Sequence, residues 1–330
     1  MTRTTLSIAC FTVLLTLIAF VVSVTQWFGV SPDYPNYDIF FYNVRLYFSD
    51  EWATNRFEPA FVVASYFIAQ LFESNVVVYS VIMCVGVAIK MALIGRFSNS
   101  IVFFILATTL YLAKYFSLHE LTQLRASTAI AFLFLAFYFK LQRRWGLVAL
   151  FSIVATLFHY SSLMFIPFLL MPTISLGKTL FIGTSVFVVA KLLLWPLLPI
   201  LSKYFIVLDS YFANNVDFDA TNFYSVVFVP EYCVIILYFL MWKKLTSTMK
   251  WVTSLQFFGF SILFGFSEVP VLGVRAREIY SFFWIVNVAQ ASFCSVEVRL
   301  VTVLFVISMT VLGLYQYGFT DFFQPVVRAS

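Results

Sequence analysis

Charge is scarce in this chain. Only 11% of its 330 residues are charged and 62% are hydrophobic, where a soluble globular domain carries about a quarter charged residues. That excludes a pair of soluble domains. Histidine is nearly absent, at two residues, and the four cysteines (Cys10, Cys84, Cys233, Cys294) lie inside apolar runs without C-x-x-C spacing. A zinc centre lacks its ligands, and the thiols read as small buried apolar residues. No loop has the ligand spacing of a calcium site, so no metal and no other cofactor is expected. No internal repeat or low-complexity linker is visible, and a secondary transporter usually shows such repeats. The net charge of +5 does not point to nucleic acid, because the cations sit in short loops between apolar runs, where they set orientation.

Those apolar runs dominate the rest of the reading. Segments of about 17–25 residues, each long enough to cross a hydrocarbon core of about 30 Å, recur along the whole length. They fall near 5–25, 75–94, 99–116, 126–141, 146–159, 160–174, 178–198, 224–242, 251–268, 279–296 and 300–319. The chain reads as a single polytopic domain over 1–330, an all-α membrane bundle of about ten to twelve transmembrane helices, some short or re-entrant. "SIAC" at 7–10 has no apolar stretch before it, and the first run has no small-residue cleavage site, so it reads as a retained helix.

Orientation follows from the cations. "KLQRRWG" (140–146), "WKKLTSTMK" (242–250) and the pair Lys90/Arg96 are basic without acids and are expected on the cytoplasmic side. "EPAFVVASYFIAQLF" (58–72) spoils the parity if it crosses, so it is expected as a re-entrant or surface-embedded helix. The stretch 147–171 reads either as one helix with His159 at mid-membrane or as two short helices meeting at 159–162, and the second keeps Lys178 inside. Of fifteen acidic residues, only Glu297 then falls in a cytoplasmic loop. Outer-face segments are expected at about 26–57, 116–125 and 199–223.

Polar clusters collect on that outer side. In "SPDYPNYDIFFY" (31–42), Tyr37, Phe40, Phe41, Val44 and Phe48 have helical spacing, with Asp33 or Tyr34 at the start and Pro35 in the first turn. An amphipathic interfacial helix results. Tyr34 and Tyr37 serve either as interfacial anchors or as a sugar-binding lip. "HELTQLR" (119–125) supplies His119, Glu120, Gln123 and Arg125, which converge only if the chain enters its helix near Thr122. "FHYSS" (158–162) places His159 and Tyr160 in an apolar run, where an ionisable group is a functional candidate by default. "VRARE" (274–278) puts Arg275 and Arg277 beside Glu278, and guanidinium is well suited to bidentate phosphate contact. Each cluster also has an ordinary structural reading as a packed or ion-paired helix end. Together they describe an outward-facing cavity for a substrate with an anionic head, a polar body and an apolar tail.

The order of four elements, "DYPNYDIFF" (33–41), "EPAF" (58–61), "LRASTAIAFLFLAF" (124–137) and "LFHYSSLMFIP" (157–167), resembles the EpsG-type family of bacterial polysaccharide polymerases, related in role to the Wzy O-antigen polymerases. The resemblance covers 33–167 closely and the C-terminal half only as apolar spans plus the Arg275/Arg277 loop. It implies a GT-C-like helical architecture in the bacterial inner membrane. The implied activity is metal-independent glycosyl transfer that joins undecaprenyl-pyrophosphate-linked repeat units at the outer face, towards the periplasm or exterior. The implied partners are those lipid-linked glycans, membrane lipid, a chain-length regulator and a flippase, with no nucleic acid. Asp33, Glu58, Glu120 and His159 are then candidates for the base. Arg125, Arg275 and Arg277 are candidates for the pyrophosphate. Tyr34, Tyr37, His119, Gln123, Tyr160 and Glu278 are candidate substrate contacts, and 209–222 is a glycan-facing loop. A flippase or another membrane transferase acting on lipid-linked glycans is the alternative.

Overall fold

Apolar length decides which helices can cross a membrane. The structure, a computed structural model, describes residues 3–49, 52, 57–194, 197, 200, 228–267, 270–318 and 323. Among these residues it is all-helical, a polytopic membrane bundle, and five helical stretches are long and apolar enough to span: Ser7–Val24, Asn75–Phe97, Ile101–Glu120, Leu124–Leu141 and Val296–Tyr317. Shorter apolar helices run over Pro59–Leu71, Trp145–Phe158 and Val229–Leu240. The expected loop 209–222 lies outside the described residues, as does most of 199–223. The chain falls into two compact units, Met1–Leu163 with Val306–Ser330, and Met164–Phe305, where the sequence reads as a single domain.

The first unit is built on α1 (Arg3–Val24), α2 (Tyr34–Leu46), α3 (Pro59–Leu71), α4 (Asn75–Phe97), α5 (Ile101–Leu110), α6 (Leu124–Leu141) and α7 (Trp145–Phe158). α5 continues without a break as a π-helix over Tyr111–Glu120. Asp33 stands at the N-cap of α2 and Pro35 in its first turn, as the spacing predicts. Tyr37, Phe40, Phe41 and Val44 form its buried face, and Phe40 and Phe41 pack on Phe61 of α3. Arg45 then fastens the far end of α3, with Nε donating to the Ala69 carbonyl at 3.0 Å and Nη2 to the Phe72 carbonyl at 3.0 Å. Helix ends leave such carbonyls without partners of their own.

In lipid, close packing and interhelical hydrogen bonds replace the hydrophobic drive between helices. Ser23 of α1 and Ser80 of α4 share a 2.7 Å hydrogen bond. Gly313 lies so close to the π-helix that a Cβ would overlap the Ala113 carbonyl oxygen. Phe97 stacks on Phe134 and Phe137, joining α4 to α6. α6 and α7 form a hairpin whose turn, Gln142–Arg144, carries Arg143 at φ 59°. That left-handed conformation is uncommon for a side chain other than glycine.

The second unit holds α8 (Leu176–Val189), α9 (Val229–Leu240), α10 (Ser247–Gly265), α11 (Pro270–Phe282), α12 (Trp284–Gln290) and the start of α13 (Val296–Gly318). α10 is its buried centre. Ser254 bonds Thr179 at 2.8 Å, Gln256 donates to the Tyr280 carbonyl at 2.6 Å, and Asn287 donates to Thr253 at 3.2 Å.

Four expectations change. Lys90 is no loop cation: it lies inside α4, fully buried, because Glu120 is there to neutralise it. Arg275, Arg277 and Glu278 occupy a helix rather than a loop. The expected span 279–296 is divided, with Phe283 separating α11 from α12. Cys10 and Cys233 are exposed on apolar outward faces, where a membrane makes burial in protein unnecessary.

Candidate functional site

The 58–72 and 147–171 segments meet at a single carboxylate. Glu58 sits in extended conformation at the N-cap of α3, ahead of Pro59, and its side chain does not cap its own helix. It reaches outward instead. Oε2 accepts from Arg125 Nη1 at 2.6 Å, and Oε1 lies 2.9 Å from His159 Nδ1. The backbone N–H of Tyr160 also donates to Oε1 at 3.4 Å.

Each partner is delivered by a helix boundary. The π-helix ends at Glu120, the chain turns through 121–123, and α6 starts at Leu124, so Arg125 enters from the first turn of its helix. α7 stops at Phe158 and His159 takes an extended conformation before a short 3₁₀ turn over Tyr160–Met164. The alternative of two short segments meeting at His159 is the one adopted, and the break frees the Tyr160 N–H that Glu58 receives.

The groups differ in what they can touch. The Glu58 side chain is 4% exposed, against 25% for Arg125 and 18% for His159. Burial pushes the Glu58 carboxyl up. The His159 hydrogen bond and the Arg125 and His159 charges outweigh this and hold it below its ordinary value. His159 Nε2 has no hydrogen-bond partner among the described residues. The Arg125 guanidinium lies 4.5 Å from the Phe57 ring centre, a cation–π contact, and the buried Tyr37 is an electrostatic neighbour of it. A buried carboxylate thus orients one imidazole and one guanidinium, both still reachable.

Helical rise gives the depth of this group. From the 142–144 turn, α6 climbs about 24 Å to Arg125 and α7 about 20 Å to Phe158. Both lengths are most of the thickness of a hydrocarbon core of about 30 Å.

The other candidates lie elsewhere. Asp33 is half-buried at the start of α2. Tyr34 is half-buried and packs on Tyr79 with ring centres 5.5 Å apart. His119 is buried and stacks on Tyr115. Gln123 is buried at the N-cap of α6, and Tyr160 is 44% exposed. Glu120 is fully buried and belongs to its own network with Lys90, Ser127 and Tyr111. In the second unit, Arg277 is buried, pairs with Glu231 and lies over the Phe260 ring, while Arg275 and Glu278 pair at 3.7 Å. Sequence reasoning missed Phe57, Tyr79, Lys90 and Ser127. Only Lys90 carried a signal, as an ionisable residue inside an apolar run.

No curated protein and no solved structure matches this chain. The family comparison does: the EpsG family model matches residues 8–324. Covered over nearly its whole length, the chain belongs to the EpsG family.

Proposed function

We propose that this EpsG-family membrane protein, linked through its family to exopolysaccharide biosynthesis, is the polymerase that joins lipid-pyrophosphate-linked repeat units. The observation that carries this reading is the position of Glu58 between Arg125 and His159. Polymerisation needs a base for an acceptor hydroxyl and a cation for a departing pyrophosphate. These two side chains supply both, and one carboxylate holds them.

In the proposed reaction, the acceptor hydroxyl oxygen attacks the anomeric carbon of the lipid-linked donor. Its proton passes to His159 Nε2, the nitrogen that Glu58 leaves available by binding Nδ1. The bond from the anomeric carbon to the pyrophosphate oxygen breaks, and the leaving group departs with that electron pair towards Arg125 through charge-assisted hydrogen bonds. Glu58 is too buried to meet the sugar, and both its oxygens are in use. It orients His159 and offsets the Arg125 charge. Tyr160, exposed beside His159, is placed to touch the glycan. In the second unit, Arg275, with its side chain 36% exposed, is better placed than the buried Arg277 to meet an anion.

The basic 140–144 turn on the cytoplasmic side and the site about 20–24 Å above it support an outward-facing site in a bacterial inner membrane. The substrates are then undecaprenyl-pyrophosphate-linked glycans delivered by a flippase, with a separate regulator of chain length. The test is the purified protein in liposomes with lipid-linked repeat units. A ladder of products lost in both Arg125→Ala and His159→Ala supports the reading. Failure of the wild type to lengthen any repeat unit would sink it.

A further inference from the structure

Glu120 accepts bonds from three groups inside the protein. Lys90 Nζ and the Ser127 hydroxyl bind its carboxylate, and the Tyr111 hydroxyl donates to Oε1 at 2.7 Å. Lys90 also donates to Ser127 Oγ at 2.7 Å. Lys90, Glu120 and Tyr111 have no exposed surface at all, and Ser127 has 1%. A carboxylate so enclosed cannot reach a sugar. Stability alone is weak grounds for its presence, because a buried ion pair is commonly no better than apolar residues of the same volume.

Its location gives it another use. Ser127 lies two residues after Arg125 in α6, and each helical residue turns about 100°. Glu120 therefore grips the opposite side of the turn that presents Arg125. A second path leads from the same residue. The Tyr79 hydroxyl donates to the Glu120 carbonyl at 2.9 Å. The Tyr79 ring packs edge-on against Tyr37 with centres 5.6 Å apart, and the buried Tyr37 is an electrostatic neighbour of Arg125. The π-helix that delivers Glu120 is a geometry found frequently at functional sites. Lys90 comes from α4 and Glu120 from the end of the π-helix, so the pair locks three consecutive segments around the start of α6.

We infer that the buried Lys90–Glu120 pair is a positioning device that fixes Arg125 in the orientation needed for the departing pyrophosphate. The inference rests on the proposed role of Arg125. Neither Lys90 nor Glu120 touches substrate; both act through Ser127, Tyr79 and Tyr37.

The test uses the full-length protein in liposomes with lipid-linked repeat units. Lys90→Met with Glu120→Gln removes both charges together, so no lone buried charge remains. The double variant is expected to insert and melt near wild type while kcat falls about tenfold to a hundredfold, the usual result of an ångström-scale misplacement, with KM little changed. Placed on Arg125→Ala, the same pair of changes is expected to cost nothing further; on His159→Ala it keeps its full effect. Ser127→Ala, a milder change that spares the ion pair, gives a smaller loss that also disappears on Arg125→Ala. Hydrogen exchange over 121–128, measured without substrate, is expected to quicken in both variants. Wild-type kcat in a folded double variant, or an undiminished loss on Arg125→Ala, overturns the inference. If exchange quickens as stated but wild type makes no polymer, the clamp stands and the polymerase reading falls.

Discussion

Glu58 Oε1 and His159 Nδ1 lie 2.9 Å apart although 101 residues separate them in the chain. With the second oxygen on Arg125, one carboxylate fixes both the direction of the free imidazole nitrogen and the reach of the guanidinium. The proposed proton transfer and leaving-group capture thereby depend on one set of contacts, which can be perturbed one at a time.

Arg125 should be replaceable by neither alanine nor lysine. Lysine keeps the charge but loses the planar fork that fits a phosphate. We expect Arg125→Ala to lower turnover by about 10²–10³-fold, as for loss of one transition-state donor, and Arg125→Lys to recover only a fraction of it. Initial rates on lipid-linked repeat units measure this.

His159→Ala should cost about 10²–10⁴-fold in turnover, the range for a positioned general base. Because its side chain is partly exposed, the protein should still insert and remain monodisperse in detergent. A variant with wild-type chain lengths would remove His159 from the chemistry.

Glu58 should make stability depend on acidity. The folded protein holds this carboxyl below its ordinary value, so at a given mildly acidic pH it binds fewer protons there than the unfolded chain. The resulting stability is complete above the ordinary carboxylate pKa of about 4 and drains away as pH falls through the depressed folded value. The difference in melting temperature between wild type and Glu58→Gln should shrink as pH falls below the ordinary carboxylate range.

Gly313→Ala should loosen the first unit. The added methyl overlaps the Ala113 carbonyl, and backbone cannot step aside as a flexible side chain can. An overpacking cost of about 1–3 kcal/mol is expected, read as a lower melting temperature in detergent with the Arg125 and His159 chemistry otherwise retained.

Polymer formation should persist in chelator, because the proton and the pyrophosphate charge are both assigned to side chains. Loss of activity with chelator and its return with Mg²⁺ would require a different account of the leaving group.

The sequence by itself determined the class of this molecule. Apolar runs of membrane-crossing length leave the backbone no option but helices, and the placement of α2 followed from Tyr37, Phe40, Phe41 and Val44 with Pro35 ahead of them. It also placed Glu58, Arg125 and His159 among a larger set of candidates, because ionisable groups are costly in such a setting and therefore stand out. What it could not decide was which of them meet. Asp33, Glu58, Glu120 and His159 are all candidates, Glu58 with an edge because it opens the 58–72 segment, and only long-range packing gave Glu58 to Arg125 and His159 while sealing Glu120 against Lys90. The physical reason is that periodicity records which face of one helix is apolar, whereas a charge buried in lipid is satisfied by a partner from another segment, and no local pattern names that partner.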